Sequence, residues 1–322
     1  MEIQIPLVIF TSFLAWAAGI FGTQCILALQ KRGGAVQLPA LICSAVVLVV
    51  GGIAVVFHLT HPFNLFNGFG HITSGITQEL IAIVVLAVVM VVYFVYLRRA
   101  GDEARVPAWL SAIGIVVAAV VTVAGLALWG MQLSGGLVQT GMRNFDSWGL
   151  YITMFMFLVG LSAGGLIISS APRVLGVEGF GGISKVAVWT SICCTVLAIG
   201  FVVVDLGQPL RLWELFAYSN LGSPPMWDIV VLGTYLILSC VYLWAQVRAD
   251  AGKVSHTALR VISVVALVTA VLVHSVTAWI FGLQIARAGW YSTIMAPLFV
   301  ASAMDSGLAL LLLALLWMNR AK

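Results

Sequence analysis

The chain has 322 residues, of which 62% are hydrophobic and only 8% are charged. A soluble domain normally carries about a quarter charged residues, so this composition excludes a soluble globular protein. It predicts a protein embedded in a lipid bilayer. The formal net charge is +4 at pH 7, and nucleic acid is not an expected partner.

Nine apolar runs follow one another along the chain. A run of 18 or more apolar residues indicates a membrane-spanning helix. The alternation of apolar and polar residues that is typical of a membrane barrel is absent. The first run lacks a basic leader and a small-residue cleavage site, so we expect a retained helix and not a signal peptide. The predicted fold is an all-α, multi-pass membrane protein whose helices lie at 5–29, 40–59, 77–97, 107–131, 148–171, 185–205, 226–246, 257–284 and 292–318.

The basic residues predict how these helices are oriented. Twelve of the 15 lysines and arginines lie in the odd-numbered loops, at their flanking helix ends or in the C-terminal tail. Only Arg143, Arg211 and Arg287 lie in the even-numbered loops. Because cytoplasmic loops are enriched in basic residues, we expect the N-terminus outside and the C-terminus in the cytoplasm.

Two of the outer hairpins share one design. The segment His58-Leu-Thr-His-Pro62 ends the second apolar run, and Glu79 opens the third. The segment Asp205-Leu-Gly-Gln-Pro209 ends the sixth run, and Asp228 opens the seventh. In each copy an ionisable residue ends one helix, a proline follows four residues later, and a carboxylate opens the next helix. The hairpins therefore indicate an internal duplication.

A second pair of matching segments extends this duplication. Both Trp129-Gly-Met-Gln-Leu133 and Phe281-Gly-Leu-Gln-Ile285 read aromatic, Gly, apolar, Gln, apolar. The four helices that separate the copies give both the same orientation, which predicts two parallel-repeat four-helix bundles. We expect a first bundle at 1–133, an outer linker at 134–147, a second bundle at 148–286, and a ninth helix with a cytoplasmic tail at 287–322.

Polar side chains in the first bundle are candidate functional residues. His58 lies at the outer mouth, where a neutral imidazole would exchange a proton with a quinol hydroxyl near neutral pH. Glu79 is either a second ligand for the same head group or a residue that complements the dipole of its own helix. Gln24 is either a ligand-binding side chain or an interhelical hydrogen-bond partner.

The second bundle contains the most deeply placed ionisable residues. An ionisable group within a membrane is costly, so each is a functional candidate. His274 and Asp305 are expected to form either a static hydrogen-bonded pair or a proton-relay pair. Asp205 and Arg211 are expected to form an ion pair that closes the second hairpin.

Metal sites are not expected in this chain. All five cysteines lie inside apolar runs and none is in a C-x-x-C motif, whereas iron–sulfur clusters and structural zinc need clustered thiolates. Haem held by two histidines needs two that face each other within the membrane, and only His274 lies deep. We therefore expect neither haem nor an iron–sulfur cluster in the chain.

Several motifs together resemble a known family. They are Trp148-Gly-Leu-Tyr151, Asp205-Leu-Gly-Gln-Pro-Leu-Arg211, Ser223-Pro-Pro-Met-Trp227, His274-Ser-Val-Thr277 and Ser302-Ala-Met-Asp-Ser-Gly307. They resemble the NrfD/polysulfide reductase membrane subunit family. The first half, with Phe57-His-Leu-Thr-His-Pro62, is similar to the membrane anchor of dimethyl sulfoxide reductase in the same superfamily.

The resemblance implies a haem-free subunit in the cytoplasmic membrane of a prokaryote that binds a quinone, commonly menaquinone. It implies partners on the outer face, namely an iron–sulfur subunit and a molybdopterin catalytic subunit. His58 and Glu79 match positions that shape a quinol pocket, with Gln24 and Asn64 as further candidates. By the same resemblance, quinol oxidation feeds a terminal reductase.

Three alternatives stay open. The quinone site could instead lie in the second bundle, at Asp205, Asp228 and His274. The second bundle could translocate protons, with His274 and Asp305 lining a half-channel. A secondary transporter would also fit two repeats with buried polar residues, although such transporters tend to have inverted repeats.

Overall fold

The structure, a computed structural model, describes residues 5–32, 34–58, 75–99, 106–136, 148–176, 181–285, 287 and 289–320. Over these ranges the chain forms nine long helices and one short helix. They are α1 (Ile5–Leu29), α2 (Gly34–His58), α3 (Gly75–Arg99), α4 (Ala108–Gly135), α5 (Leu150–Val174), α6 (Ser184–Asp205), α7 (Glu214–Ala217), α8 (Pro224–Asp250), α9 (His256–Gly282) and α10 (Met295–Arg320). Two 3-10 turns, Gly181–Ile183 and Pro209–Arg211, precede α6 and α7 respectively.

The helices confirm the predicted all-α membrane fold. Eight of those described are long and apolar enough to cross a membrane, and α1 contributes a shorter apolar stretch, Phe13–Leu29. The largest difference at a helix start is in α2, which begins at Gly34, six residues before the predicted position. Pro39 lies within its first two turns. A proline there removes one early backbone hydrogen bond without ending the helix.

The chain divides into two compact units. Unit 1 comprises Met1–Met131 together with Trp317–Lys322, and unit 2 comprises Gln132–Leu316. Most of α10 therefore groups with unit 2.

Unit 1 is held together by close helix contacts. The Ser44 hydroxyl on α2 donates to the carbonyl of Ala17 on α1 at 2.7 Å. Gly22 on α1 faces α4, where a Cβ added at this position would lie 2.6 Å from the Cβ of Ala118. Small residues at such crossings let helix backbones approach in a membrane, where burial of apolar surface no longer drives association.

Unit 2 is organised around α5, which is buried continuously from Leu158 to Ser170. This helix packs against α6 and α9. It also crosses α10 at Gly164 and Gly307, where a Cβ on Gly307 would lie 2.6 Å from the Cα of Gly164. The crossing is thus closed to any side chain larger than hydrogen.

The two units share internal polar positions. Gln37 and Ser44 on α2 correspond to Ser184 and Ser191 on α6 at the same spacing that separates His58 from Asp205. In unit 1 the Tyr93 hydroxyl donates to Gln37 Oε1 at 2.9 Å. In unit 2 the Arg173 guanidinium donates both to Ser184 Oγ at 2.9 Å and to the hydroxyl of Tyr242 at 3.0 Å. In each unit a tyrosine of the third long helix thus joins the network at the start of the second.

Candidate functional site

His58 and Glu79 lie at the same end of the α2–α3 pair. His58 is the last residue of α2. Since α3 begins at Gly75, Glu79 is its fifth residue, two residues further in than the predicted start at residue 77 places it. The two helices follow one another in the chain and are in contact, so the end of α2 and the start of α3 lie at the same end of the pair. Asn64, the fourth predicted ligand, lies outside the described residues.

An apolar groove runs between the same two helices. It has a volume of about 360 Å³. On α2 the lining residue nearest His58 is Val49, nine residues away or about 13 Å along the axis. On α3 the nearest to Glu79 is Ala87, about 12 Å away. Every lining side chain is apolar: Leu41, Ile42, Ala45, Val46, Leu48, Val49, Ala87, Met90, Val91 and Phe94.

Gln24 lies at the end of unit 1 that is opposite to His58 and Glu79. Its Nε2 donates to the carbonyl of Gln37 at 2.9 Å, and the Gln37 amide donates back to the carbonyl of Gln24 at 3.4 Å. Gln37 lies 21 residues before His58 in α2, which is about 31 Å along the helix. The structure therefore shows the interhelical hydrogen bond and does not bring Gln24 to His58 and Glu79.

The prediction that Asp205 and Arg211 form an ion pair is wrong. The Arg211 guanidinium binds Glu214 instead, through Nε to Oε1 and Nη2 to Oε2, each at 2.8 Å. The 3-10 turn and α7 place these residues three apart on one helical surface, where side chains meet. Asp205 ends α6 with a buried Oδ1 that has no hydrogen-bond partner among the described residues.

The surface ion pair between Arg211 and Glu214 forms over a defined pH range. The hydrogen bonds from Arg211 hold the pKa of the Glu214 carboxyl below its ordinary value. The pair is therefore intact at neutral pH and is lost only as the pH falls through that lowered pKa. It is a local contact within the loop between α6 and α8 and does not involve Asp205.

Asp228 and His274 lie in the outer part of unit 2, as the charge distribution orients it. The hydroxyl of Thr277 on α9 donates to Asp228 Oδ1 at 2.5 Å. His274 precedes Thr277 by three residues and therefore lies on the same face of α9. Asp228 and His274 are each only 5% exposed. Within the described ranges, His274 Nδ1 has no hydrogen-bond partner.

The predicted pair of His274 and Asp305 is not formed. The His274 ring packs against Phe299 of α10, with ring centroids 5.5 Å apart. A Cβ at Gly160 on α5 would meet both His274 and Ser306. Asp305 is adjacent to Ser306 and is exposed. Neighbouring helical residues point about 100° apart, so Asp305 faces away from this contact.

A buried hydroxyl network in unit 2 was not predicted. Ser162 Oγ lies 3.0 Å from Ser191 Oγ, 2.6 Å from Thr195 Oγ1 and 3.0 Å from the Tyr235 hydroxyl. All four residues are at most 1% exposed. In the sequence these residues resemble the small and aromatic residues that pack membrane helices, and only their contacts across three helices show the network.

Metal ligands do not cluster in the described part of the chain. It contains no group of three or more histidine, cysteine, aspartate or glutamate residues that could hold an ion.

The chain is similar to proteins that are named as membrane subunits of oxidoreductases. It is 39% identical over 229 residues to a protein of Halobacterium salinarum named as a dimethyl sulfoxide reductase membrane subunit, covering 66% of this chain and 52% of that protein. It is 25% identical over 237 residues to a selenate reductase subunit of Mesobacillus selenatarsenatis, covering 63% of this chain and 56% of the relative.

The name of a further relative includes menaquinol. The chain is 27% identical over 198 residues to the Hdr-like menaquinol oxidoreductase integral membrane subunit of Archaeoglobus fulgidus, covering 62% of this chain and 48% of that protein. The chain thus spans about half the length of these curated relatives. The sequence model "Polysulphide reductase, NrfD" matches residues 138–322, which is more than half of the chain. The chain therefore belongs to the polysulphide reductase NrfD family.

Proposed function

We propose that this chain is the haem-free, quinol-binding membrane subunit of a respiratory iron–sulfur molybdoenzyme complex. Its family and its relatives support this role, because their names include subunits of dimethyl sulfoxide, selenate and menaquinol oxidoreductases. An iron–sulfur subunit and a molybdopterin catalytic subunit are the proposed partners, docked on the outer face.

The quinol site is assigned to the outer end of the α2–α3 pair. The observation that carries this assignment is the position of His58 and Glu79 at one end of two helices that share a wholly apolar groove. This combination of polar residues and an apolar groove matches a quinol, in which a polar head group is joined to an apolar isoprenoid tail. The head group would lie at His58 and Glu79, with the tail directed along the groove toward Val49 and Ala87.

The chemistry assigned to these residues is proton transfer. Oxidation of one quinol yields one quinone, two electrons and two protons. His58, as a neutral imidazole, accepts the proton of one hydroxyl, and Glu79 accepts that of the other. Removing the protons as the electrons leave avoids forming a positively charged quinol in an apolar site. The two electrons pass to the iron–sulfur cluster of the docked partner, and the protons leave to the outside.

The alternative site at Asp228 and His274 is less suited to a quinone ring. Both side chains are 5% exposed. His274 lies beside Gly160 of α5 and Phe299 of α10, and Asp228 on α8 accepts a hydrogen bond from Thr277 of α9. A ring could bind there only if these helices moved apart. Quinol oxidation that survives Glu79→Ala and is lost in Asp228→Asn would nevertheless move the site to unit 2.

The proposed function is tested on the complex isolated from native membranes. We expect an iron–sulfur subunit and a molybdopterin subunit to co-purify with the chain. A menaquinol analogue added without terminal acceptor should then reduce the iron–sulfur cluster, as followed by electron paramagnetic resonance. A competing quinol-site inhibitor serves as the control and should prevent this reduction. A chain that purifies without such partners, or a cluster that does not respond to quinol, would contradict the proposal.

A further inference from the structure

Unit 2 contains buried proton-exchanging groups that the proposed quinol chemistry does not use. At the end that the charge distribution assigns to the cytoplasm, the Tyr242 hydroxyl accepts hydrogen bonds from Arg173 and Ser263 and donates to the carbonyl of Ser169. Ser169 Oγ and Ser184 Oγ lie 2.8 Å apart in the same cluster. This cluster is the inner end of a polar series through the unit.

The hydroxyls around Tyr235 form the middle of the series. The Tyr235 hydroxyl lies 2.6 Å from Ser191 Oγ and 3.0 Å from Ser162 Oγ. Tyr235 and Tyr242 are two turns apart on α8, about 10.5 Å along its axis. Ser239 lies between them on the same helix and is fully buried. The inner and middle clusters thus follow one another along the same helices.

The series continues outward to His274, Thr277 and Asp228. Gly160, where a Cβ would lie 3.4 Å from the His274 ring, is two residues from Ser162 on α5. Thr277 then connects the same face of α9 to Asp228 through its 2.5 Å hydrogen bond. Asp305, expected to take part in such a path, faces away from it.

Unit 1 differs at the position that matches the middle cluster. Ser44, the counterpart of Ser191, donates to the carbonyl of Ala17 and approaches the Met90 sulfur at 3.7 Å. Neither acceptor carries a proton. In unit 2, by contrast, hydroxyl meets hydroxyl, and each such group both donates and accepts. One donor and one acceptor are enough to join two helices by a hydrogen bond. The clustered hydroxyl groups of unit 2 are therefore more than helix packing requires.

We infer that unit 2 carries protons between the cytoplasmic end at Tyr242 and the outer part at Asp228 while quinol is oxidised. Because these polar groups are enclosed by packed helices, a proton is the species small enough to pass along them. This inference rests on the proposed function, because quinol oxidation supplies the free energy. The two protons of each quinol are released outside, and further protons taken from the cytoplasm through unit 2 add to them.

The test is the number of protons released per quinol by the complex reconstituted in liposomes. External ferricyanide, which takes up no proton on reduction, accepts the electrons from the partner on the outer face. Proton release is measured with a pH indicator while valinomycin and potassium collapse the membrane potential. We expect more than two for the native chain and two for Tyr235→Phe, which removes only a hydroxyl. Quinol oxidation in uncoupled liposomes should remain unchanged in this variant. Ser162→Ala, which should behave alike, provides a second variant if Tyr235→Phe does not assemble.

The matched control is Thr234→Val, the neighbouring residue. Its side chain is exposed, and its hydroxyl bonds only the carbonyl of Val230 in its own helix. This variant should release as many protons as the native chain. A value of two in the native complex, or an unchanged value in both network variants, would overturn the proton path while leaving quinol oxidation in place. Absence of quinol oxidation in the native complex would overturn the proposed function and this inference together.

Discussion

Replacing His58 by arginine is expected to lower quinol oxidation by the complex roughly a hundredfold or more, the range typical of a lost general base. An arginine guanidinium stays protonated at any physiological pH, so it donates hydrogen bonds but accepts no proton from a quinol hydroxyl. The measurement is steady-state oxidation of a menaquinol analogue by the purified complex, together with the affinity of a quinol-site inhibitor.

The same substitution at His256 provides the control. His256 begins α9, is exposed, and lies at the end that the charge distribution assigns to the cytoplasm. His256→Arg should leave both turnover and inhibitor affinity unchanged. Normal turnover with normal inhibitor binding in His58→Arg would remove His58 from the quinol site.

Replacing Gly164 by valine is expected to destabilise unit 2 by about 1–3 kcal/mol or more, as overpacking of a tight core does. A Cβ at this position would overlap the carbonyl oxygen of Ala303, which is part of the α10 backbone and has no alternative rotamer. The crossing with α10 must therefore open. Thermal unfolding of the chain in detergent micelles would show this as a lowered midpoint.

Gly200 offers a matched position for the control. It lies within α6, and a Cβ there meets nothing within 4 Å. Gly200→Val should therefore unfold close to the native midpoint. Equal midpoints for Gly164→Val and the native chain would show that α5 and α10 do not cross as the structure describes.

The helices were predictable from the sequence because length and apolarity determine whether a segment spans a membrane. The first run was expected at 5–29 and α1 is Ile5–Leu29, and the sixth was expected at 185–205 and α6 is Ser184–Asp205. The partner of Arg211 was not predictable in the same way. It depends on a one-turn helix in a loop, where no hydrophobic repeat is long enough to indicate helical structure.

The rotation of each helix about its own axis also could not be predicted from the sequence. The sequence shows that His274 and Asp305 are both deep, but not which way they face. That is decided by packing, here by the crossing of Gly164 and Gly307 and by the packing of the His274 ring against Phe299. The hydroxyl network escaped prediction for the same reason, since Ser162, Ser191 and Tyr235 lie on three different helices.

The central claim is that quinol binds at the outer end of the α2–α3 pair, and photoaffinity labelling tests it most directly. The complex would be irradiated with a photoreactive menaquinone analogue, with and without excess menaquinol, and the labelled peptides identified by mass spectrometry. The account predicts label, suppressed by menaquinol, at the end of α2 near His58 and at the start of α3 near Glu79. Suppressible label confined to peptides of α8 and α9 around Asp228 and His274 would contradict it.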